Sequence, residues 1–495
     1  MPEAHGIPNI SICWALPFVL MLLAIATAPF VHKRWWEKNY PLVVVLLGAV
    51  ASSYYLFFKG PGERWVEGME DYVSFIVLLA SLFVISGGII IKVTRTATPI
   101  VNCTLLLIGA VIANLFGTTG AAMLLIRPYL RMNRNHLRPY HVVFFIFIVA
   151  NVGGSLTPVG DPPLFLGYLM GVPFWWVLEH MRFIWALAVG VLLILFLIID
   201  TLDHRSQATP QRQHPHDGGP EVQIIGMHNF LFILIVVAAV FQRGFFEPLH
   251  QAPSPALLGK LVVSREVIMI AAALISHLIT PKVIYQHNEF NFAPIREVAI
   301  LFAGIFATMI PAIQYMQANA AIIPLKTPGH FYYASGALSS VLDNAPTYKT
   351  FLDTRLGVID PAELESARLE LKRMADEHTL EIPRALPAGR YRSAIENVVQ
   401  NHAADVLAGT ISQEQLRVAF LLGFPPWNAF VVAISAGSVF WGACTYIGNG
   451  PNLMIKSIAD AAGVRTPGFF RYILLYTIPI LLPLYVVIWW IFFSR

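Results

Sequence analysis

Two stretches of the chain, Asn151-Val152-Gly153-Gly154-Ser155-Leu156-Thr157-Pro158-Val159-Gly160-Asp161-Pro162-Pro163 and Tyr446-Ile447-Gly448-Asn449-Gly450-Pro451-Asn452, put glycine, proline and hydrogen-bonding side chains inside otherwise apolar segments of membrane length. A helix that opens within a bilayer leaves N–H and C=O groups that lipid cannot satisfy. Such a break is tolerated only where it lines a buried polar or ion-binding cavity. One break falls in each half of the chain, a pattern that points to a transporter.

The composition agrees with a membrane setting. Of 495 residues, 56% are hydrophobic and 13% charged, an apolar excess beyond that of soluble domains. The expectation is an all-α polytopic membrane protein with about 10 or 11 spans of roughly 20 residues each. Trp35 and Trp36, Trp175 and Trp176, and Trp489 and Trp490 fall where interfacial aromatic belts belong. Cys13, Cys103 and Cys444 are scattered in apolar sequence, without the spacing of a disulfide framework or a metal site. The first span lacks a basic leader and a small-residue cleavage site, so it reads as a retained helix.

Charge placement says more than the net charge of +4. Arg127, Arg131, Arg134 and Arg138 crowd one short loop, and His32, Lys33, Arg34 and Lys38 another, which places both loops in the cytoplasm by the positive-inside bias. No basic domain surrounds the arginines, so a nucleic-acid partner is not expected. Lys92 and Arg95 precede the apolar stretch 99–126 and the arginines follow it, so both of its ends face the same side. About 28 residues are too few for two full spans, which need about 40. The stretch is therefore expected to be a re-entrant hairpin with its tip at Gly117-Thr118-Thr119-Gly120. A second apolar stretch, 331–352, is interrupted at Leu342-Asp343-Asn344-Ala345-Pro346 and reads the same way from the opposite side.

The expected organisation is then two inverted repeats, each with a hairpin and a discontinuous helix. The first covers 1–200, with hairpin 99–126 and broken helix 141–170. A polar linker follows at 201–225. Its His204, His214 and His216 have no acidic or cysteine partner at ligand spacing. The second repeat begins over 226–352 with hairpin 331–352 and ends over 421–495 with broken helix 425–463. Between them, 353–420 reads as a soluble helical insertion, with helix starts at Asp360-Pro361 and Ser412.

At the breaks, glycine frees the backbone and proline removes donors, so carbonyls and side-chain oxygens become available to a hard cation such as Na+. The candidate ion- or substrate-binding residues are Thr118, Thr119, Asn151, Gly153, Ser155, Thr157, Asp161, Asp343, Asn344, Gly448, Asn449 and Asn452. Asp161 and Asp343 carry the sharper chemistry, as Na+ candidates. A carboxylate at membrane depth must be protonated or compensated by a cation, so Na+ and H+ compete for one site. Two structural roles compete with this reading. Asp161 before Pro162 is a favoured helix N-cap, and Asp343 can cap the second hairpin limb or pair with Lys349. Lys349 and Lys456 are expected to snorkel or to counter these carboxylates. Asp71, Glu179, Asp200, Glu266 and Glu297 fall at span ends and are expected to mark interfaces. Neither His-Glu-x-x-His nor Gly-x-Ser-x-Gly occurs, which argues against an intramembrane hydrolase and against an enzyme generally.

The four interrupted motifs make the chain resemble the NhaD-like Na+/H+ antiporters and the related citrate transporters of the ion transporter superfamily. They are Gly117-Thr118-Thr119-Gly120-Ala121, the run from Asn151 to Pro163, Asp343-Asn344-Ala345-Pro346 and Gly448-Asn449-Gly450-Pro451-Asn452. The resemblance covers most of the chain outside 201–225 and 353–420, and it implies two inverted repeats, a homodimer and an elevator-type motion. Dicarboxylate-carrying relatives have Ser-Asn-Thr at the hairpin tips where this chain has Gly-Thr-Thr-Gly and Asp-Asn-Ala-Pro. The resulting expectation is a multi-pass protein of the inner membrane that exchanges Na+ or Li+ for H+, with lipid, monovalent cations and protons as its partners and no cofactor beyond the transported ions. Its alternative is citrate or another carboxylate carried with H+ or a cation.

Overall fold

The computed structural model describes residues 11–57, 63–93, 97–134, 136–206, 222–240, 265–288, 290–319, 324–383, 386 and 389–494. Helices α1 (Leu16–Val31), α2 (Lys33–Phe57) and α3 (Glu63–Gly87) come first, followed by a short strand β1 (Ile90–Val93) and α4 (Pro99–Met132). α4 is not one rod. Gly117 lies at φ 74° and ψ 155°, a region that only glycine occupies readily. Asn102 near one end exchanges two amide hydrogen bonds of 2.8 Å with Asn133 just beyond the other. A straight helix would hold these two residues about 46 Å apart. α4 is therefore a hairpin of two helical limbs that begins and ends on one side.

α5 (Pro139–Ile148) runs into a break containing one 3-10 turn, Val152–Gly154, and the chain becomes helical again in α6 (Pro162–Leu169) and α7 (Phe174–Ser206). Strand β2 (Val222–Ile225) pairs antiparallel with β1, Ile90 opposite Ile225. α8 (His228–Val240), α9 (Arg265–Ile279), α10 (Lys282–His287) and α11 (Ala293–Ala318) lead to a second hairpin, made of α12 (Pro328–Ser339) and α13 (Asn344–Leu356). Its limbs meet through Phe331 and Phe351, ring centroids 6.2 Å apart.

Four helices follow: α14 (Pro361–Asp376), α15 (Arg390–Asn401), α16 (Ala403–Ala408) and α17 (Gln413–Leu422). Asp360 caps α14, and a reciprocal Ser412–Gln415 box caps α17. α18 (Pro425–Phe440) ends in a 3-10 turn, Trp441–Cys444, and the second break separates it from α19 (Gly450–Ala461). α20 (Phe469–Phe492) closes the chain, and its Ile473–Leu481 stretch is π-helical around Pro479.

This is an all-α polytopic membrane protein. Among the described residues, six helices are long and apolar enough to cross a bilayer, with shorter apolar helices beside them. One of the six is the folded α4, so length alone overcounts it as a span. The segments that break lie innermost. Val142 to Ala150 and Ala433, Ile434, Ala436, Val439 and Phe440 are fully buried, as expected of helices that are apolar all round.

The structure departs from two expectations. The 201–225 segment is not wholly a solvated linker, because α7 extends to Ser206 and 222–225 forms β2; His214 and His216 lie outside the described residues. The helical insertion starts after Leu356, not at 353. Asp353, Thr354 and Arg355 are buried in α13, where Arg355 stacks on Trp427 and Phe430 at 4.5 and 4.2 Å. Asp200 is 1% exposed at the base of the first hairpin. There it accepts hydrogen bonds from Tyr140 (2.7 Å) and Asn102 (3.0 Å) and lies 3.2 Å from His141 Nε2.

Candidate functional site

The local backbone at the first break follows from Pro162. A residue before proline is driven out of the helical region, and Asp161 is extended at φ −142° and ψ 142°. Pro162 and Pro163 then open α6, where their missing N–H groups cost nothing. Although Asp161 is the N-cap residue of α6, its side chain makes no capping bond to that helix. It points across to the hairpins. Thr118 donates its hydroxyl to Oδ1 at 2.9 Å, Asn344 donates its amide to Oδ2 at 2.9 Å, and the Asn449 side chain stands beside them. Asp161 is 1% exposed, and among the described residues its hydrogen-bond partners are neutral.

Each of these four residues begins a helix. Thr118 starts the second limb of α4 after Gly117, Asp161 precedes α6, Asn344 starts α13 and Asn449 precedes α19. Asn449 has nearly the backbone of Asp161, φ −150° and ψ 137°. Four helix N-termini, each carrying a partial positive charge, thus meet around one carboxylate.

A second layer of amides ties the two breaks to each other. Asn151 donates to Asn452 Oδ1 at 2.8 Å and to the Ile146 carbonyl at 2.8 Å. Asn449 donates to the Ala150 carbonyl at 3.0 Å and to Asn151 Oδ1 at 3.1 Å. Asn452 donates to the carbonyls of Gly442 and Thr445, both at 2.9 Å. The carbonyls of Ile146, Ala150, Gly442 and Thr445 at the breaks are thus held by asparagine N–H groups.

Each hairpin seats on its nearest break. Thr118 N–H donates to the Gly160 carbonyl at 2.8 Å, and Thr157 donates to the Asn114 carbonyl at 2.6 Å. Asn114 also holds the Gly153 carbonyl and the Leu156 N–H, each at 2.8 Å. In the second half, Ser339 Oγ lies 2.6 Å from the Ser438 carbonyl and 2.7 Å from Asn344 Oδ1, its single proton serving one of the two, and Thr445 donates to the Ser340 carbonyl at 2.5 Å. Gly448 allows this approach, since a Cβ there would stand 2.6 Å from the Gly442 carbonyl and 2.8 Å from that of Ser339.

Of the residues expected from sequence, Thr118, Asp161, Asn344 and Asn449 converge on the carboxylate, and Asn151 and Asn452 join them through amides. Gly153, Thr157 and Gly448 shape the seats. Among the described residues the Ser155 hydroxyl bonds within its own break, to the Val152 carbonyl at 3.0 Å. Thr119 lines a void of about 20 Å³ against α3. Asp343 is half-buried, capping α13 through Ala345 N–H at 3.4 Å and facing the N–H of Gly450. It does not pair with Lys349. That lysine reaches Asp71 on α3 at 3.1 Å and lies 4.0 Å from Asp353, so Asp71 is its ion-pair partner. Lys456 pairs with Asp460, one turn on.

Asn114, Ser339 and Trp185 escaped the sequence reading, although Trp185 also donates to the Gly153 carbonyl at 2.9 Å. The signal for the first two was there: each is a polar residue about one turn before a hairpin tip, in an otherwise apolar limb.

A family model described as "Putative citrate transport" matches residues 7–493. No curated protein matches the chain.

Proposed function

Because the chain belongs to the family of that description, a family of transporters rather than enzymes, we propose that it carries a citrate-type carboxylate across the cell membrane together with a proton or cation held at Asp161. The chain is a multi-pass membrane protein and a secondary transporter of carboxylate or ion type. The observation that carries the finer reading is a buried carboxylate, held by neutral donors, at the meeting point of four helix N-termini. The N-termini favour an incoming anion. Asp161 opposes it, because two like charges about 4 Å apart repel by about 4 kcal/mol at an effective dielectric of 20. A substrate carboxylate can therefore settle only once H+ or a cation has neutralised Asp161. Coupling follows from that requirement.

A second reading, Na+ or Li+ exchanged for H+ at the same carboxylate, is supported by the carbonyls of Ala150, Gly442 and Thr445. Their asparagine partners can give way to a cation. In both readings Asp161 is the exchangeable group, with Thr118, Asn344 and Asn449 around it, and Asp343 supports the two helix starts that it faces.

Proteoliposomes carrying an internal pH dye separate the readings when citrate, Na+, Li+ or K+ is added in turn to the parent protein and to Asp161→Asn. Proton movement driven by citrate and lost in the variant is the expected result. Proton movement driven by Na+ or Li+ without citrate selects the exchange reading. A variant that couples as well as the parent refutes both.

A further inference from the structure

We propose that a pocket between the α4–α5 and α19–α20 loops, away from the carboxylate site, binds the phosphate of an anionic membrane lipid headgroup. The pocket has a volume of about 610 Å³ and is lined by Arg131, Arg134, Arg138 and Arg465, with Leu137 and Val464 among its apolar walls. No acidic side chain lines it. Arg138 is tied to Asp203 at 3.2 Å and Arg131 lies 3.2 Å from His287 Nε2. Arg134 and Arg465 are exposed and make no side-chain hydrogen bond or ion pair among the described residues.

Four guanidinium groups, brought to one concavity by the last turn of α4, the α4–α5 loop and the distant α19–α20 loop, repel one another, a repulsion that Asp203 relieves at Arg138 and that an anion between them would relieve at the others. Their planar forks match phosphate oxygens two at a time. The location names the source of the phosphate. The pocket opens where the first hairpin ends at Met132, α5 begins at Pro139, and the chain passes from α19 to the membrane-length α20. Helix ends of this kind sit at headgroup depth, and the positive-inside bias puts this end at the cytoplasmic leaflet. The apolar walls suit the glycerol and upper acyl region below a headgroup. A free phosphate offers the same oxygens without that apolar part.

The test uses purified full-length protein in neutral detergent, titrated with cardiolipin, phosphatidylglycerol, phosphatidylcholine, inorganic pyrophosphate or citrate, with retained lipid read by native mass spectrometry. Anionic lipid is expected to bind more tightly than phosphatidylcholine. Arg134→Gln and Arg465→Gln should each weaken it about fivefold, and the pair about 25-fold. Arg368→Gln, an exposed arginine in the insertion, should leave it unchanged. The single variants keep the test open should the double variant fold poorly. Pyrophosphate that displaces anionic lipid supports a phosphate site also open to free phosphate, whereas lipid retained against pyrophosphate supports the headgroup alone. Equal binding of anionic and choline lipid, no effect of the arginine changes, or displacement by citrate but not by pyrophosphate would overturn the proposal.

Discussion

Replacing Gly117 by alanine tests whether the hairpin tip holds Thr118 in place for Asp161. At φ 74° and ψ 155° the residue sits in a region that a Cβ makes unfavourable by about 1–3 kcal/mol. Space is not the obstacle, since the added methyl would lie 3.4 Å from the Val159 carbonyl and 3.8 Å from Leu82. The cost comes from the backbone, and the chain has two ways to meet it. It can keep the conformation and bear the strain, or rotate the tip and lose the Thr118 N–H bond to Gly160 and the hydroxyl bond to Asp161. A neutral hydrogen bond contributes about 0.5–1.5 kcal/mol and one to a charged group about 1.5–3 kcal/mol, so the second route costs no less. The assembled tip should therefore be disfavoured by about 1–3 kcal/mol, or about 5- to 150-fold in population. Proteoliposome uptake should fall within that range, alongside a lower melting temperature. Gly409→Ala is the control: it also has a positive φ, 66°, but it ends α16 in the insertion. It should lower the melting temperature and spare transport. If Gly117→Ala transports like the parent, the tip geometry does not govern the site.

Two further changes probe the supports. Lys349→Met leaves Asp71 without its lysine and takes one of two cations from beside Asp353, the other being Arg417, and removing one partner of a buried pair costs about 3–5 kcal/mol. Because Asp71 keeps 24% exposure, the loss should fall toward the lower end. The melting temperature should drop sharply and recover in part when both aspartates are changed to asparagine; an unchanged melt would count against the pair. Asp200→Asn weakens charge-assisted bonds to Tyr140 and Asn102, each contributing about 1.5–3 kcal/mol. Amide exchange around Asn102 and Asn133 should quicken while α19 stays protected, and uniform exchange across both would argue against a local role.

Local chemistry in the sequence carried the fold class and the places where helices stop, because a backbone that must leave the helix in lipid needs particular residues. Gly117 and Pro162 are such residues, and basic residues at both ends of 99–126 signalled a chain that returns to its starting side. Pair identities were not legible. Asp161 before Pro162 looks the same whether it caps α6 or faces the hairpins. What turns it is the arrival of Thr118 and Asn344 from other elements. Lys349 lies nearer Asp343 in sequence than Asp71, but helix geometry directs it toward α3. The β1–β2 ribbon escaped notice because Ile90, Ile91 and Val93 resemble the end of an apolar span.

The amides that join the breaks have a mechanical consequence. Asn151 to Asn452, Asn449 to Ala150 and Asn151, and Asn344 to Asp161 all cross from one half of the chain to the other, and all are buried. Prising the halves apart would strand each of these groups away from water, at about 1–3 kcal/mol apiece. Those costs add along the seam, so the two halves are tied at their centre and resist being parted there.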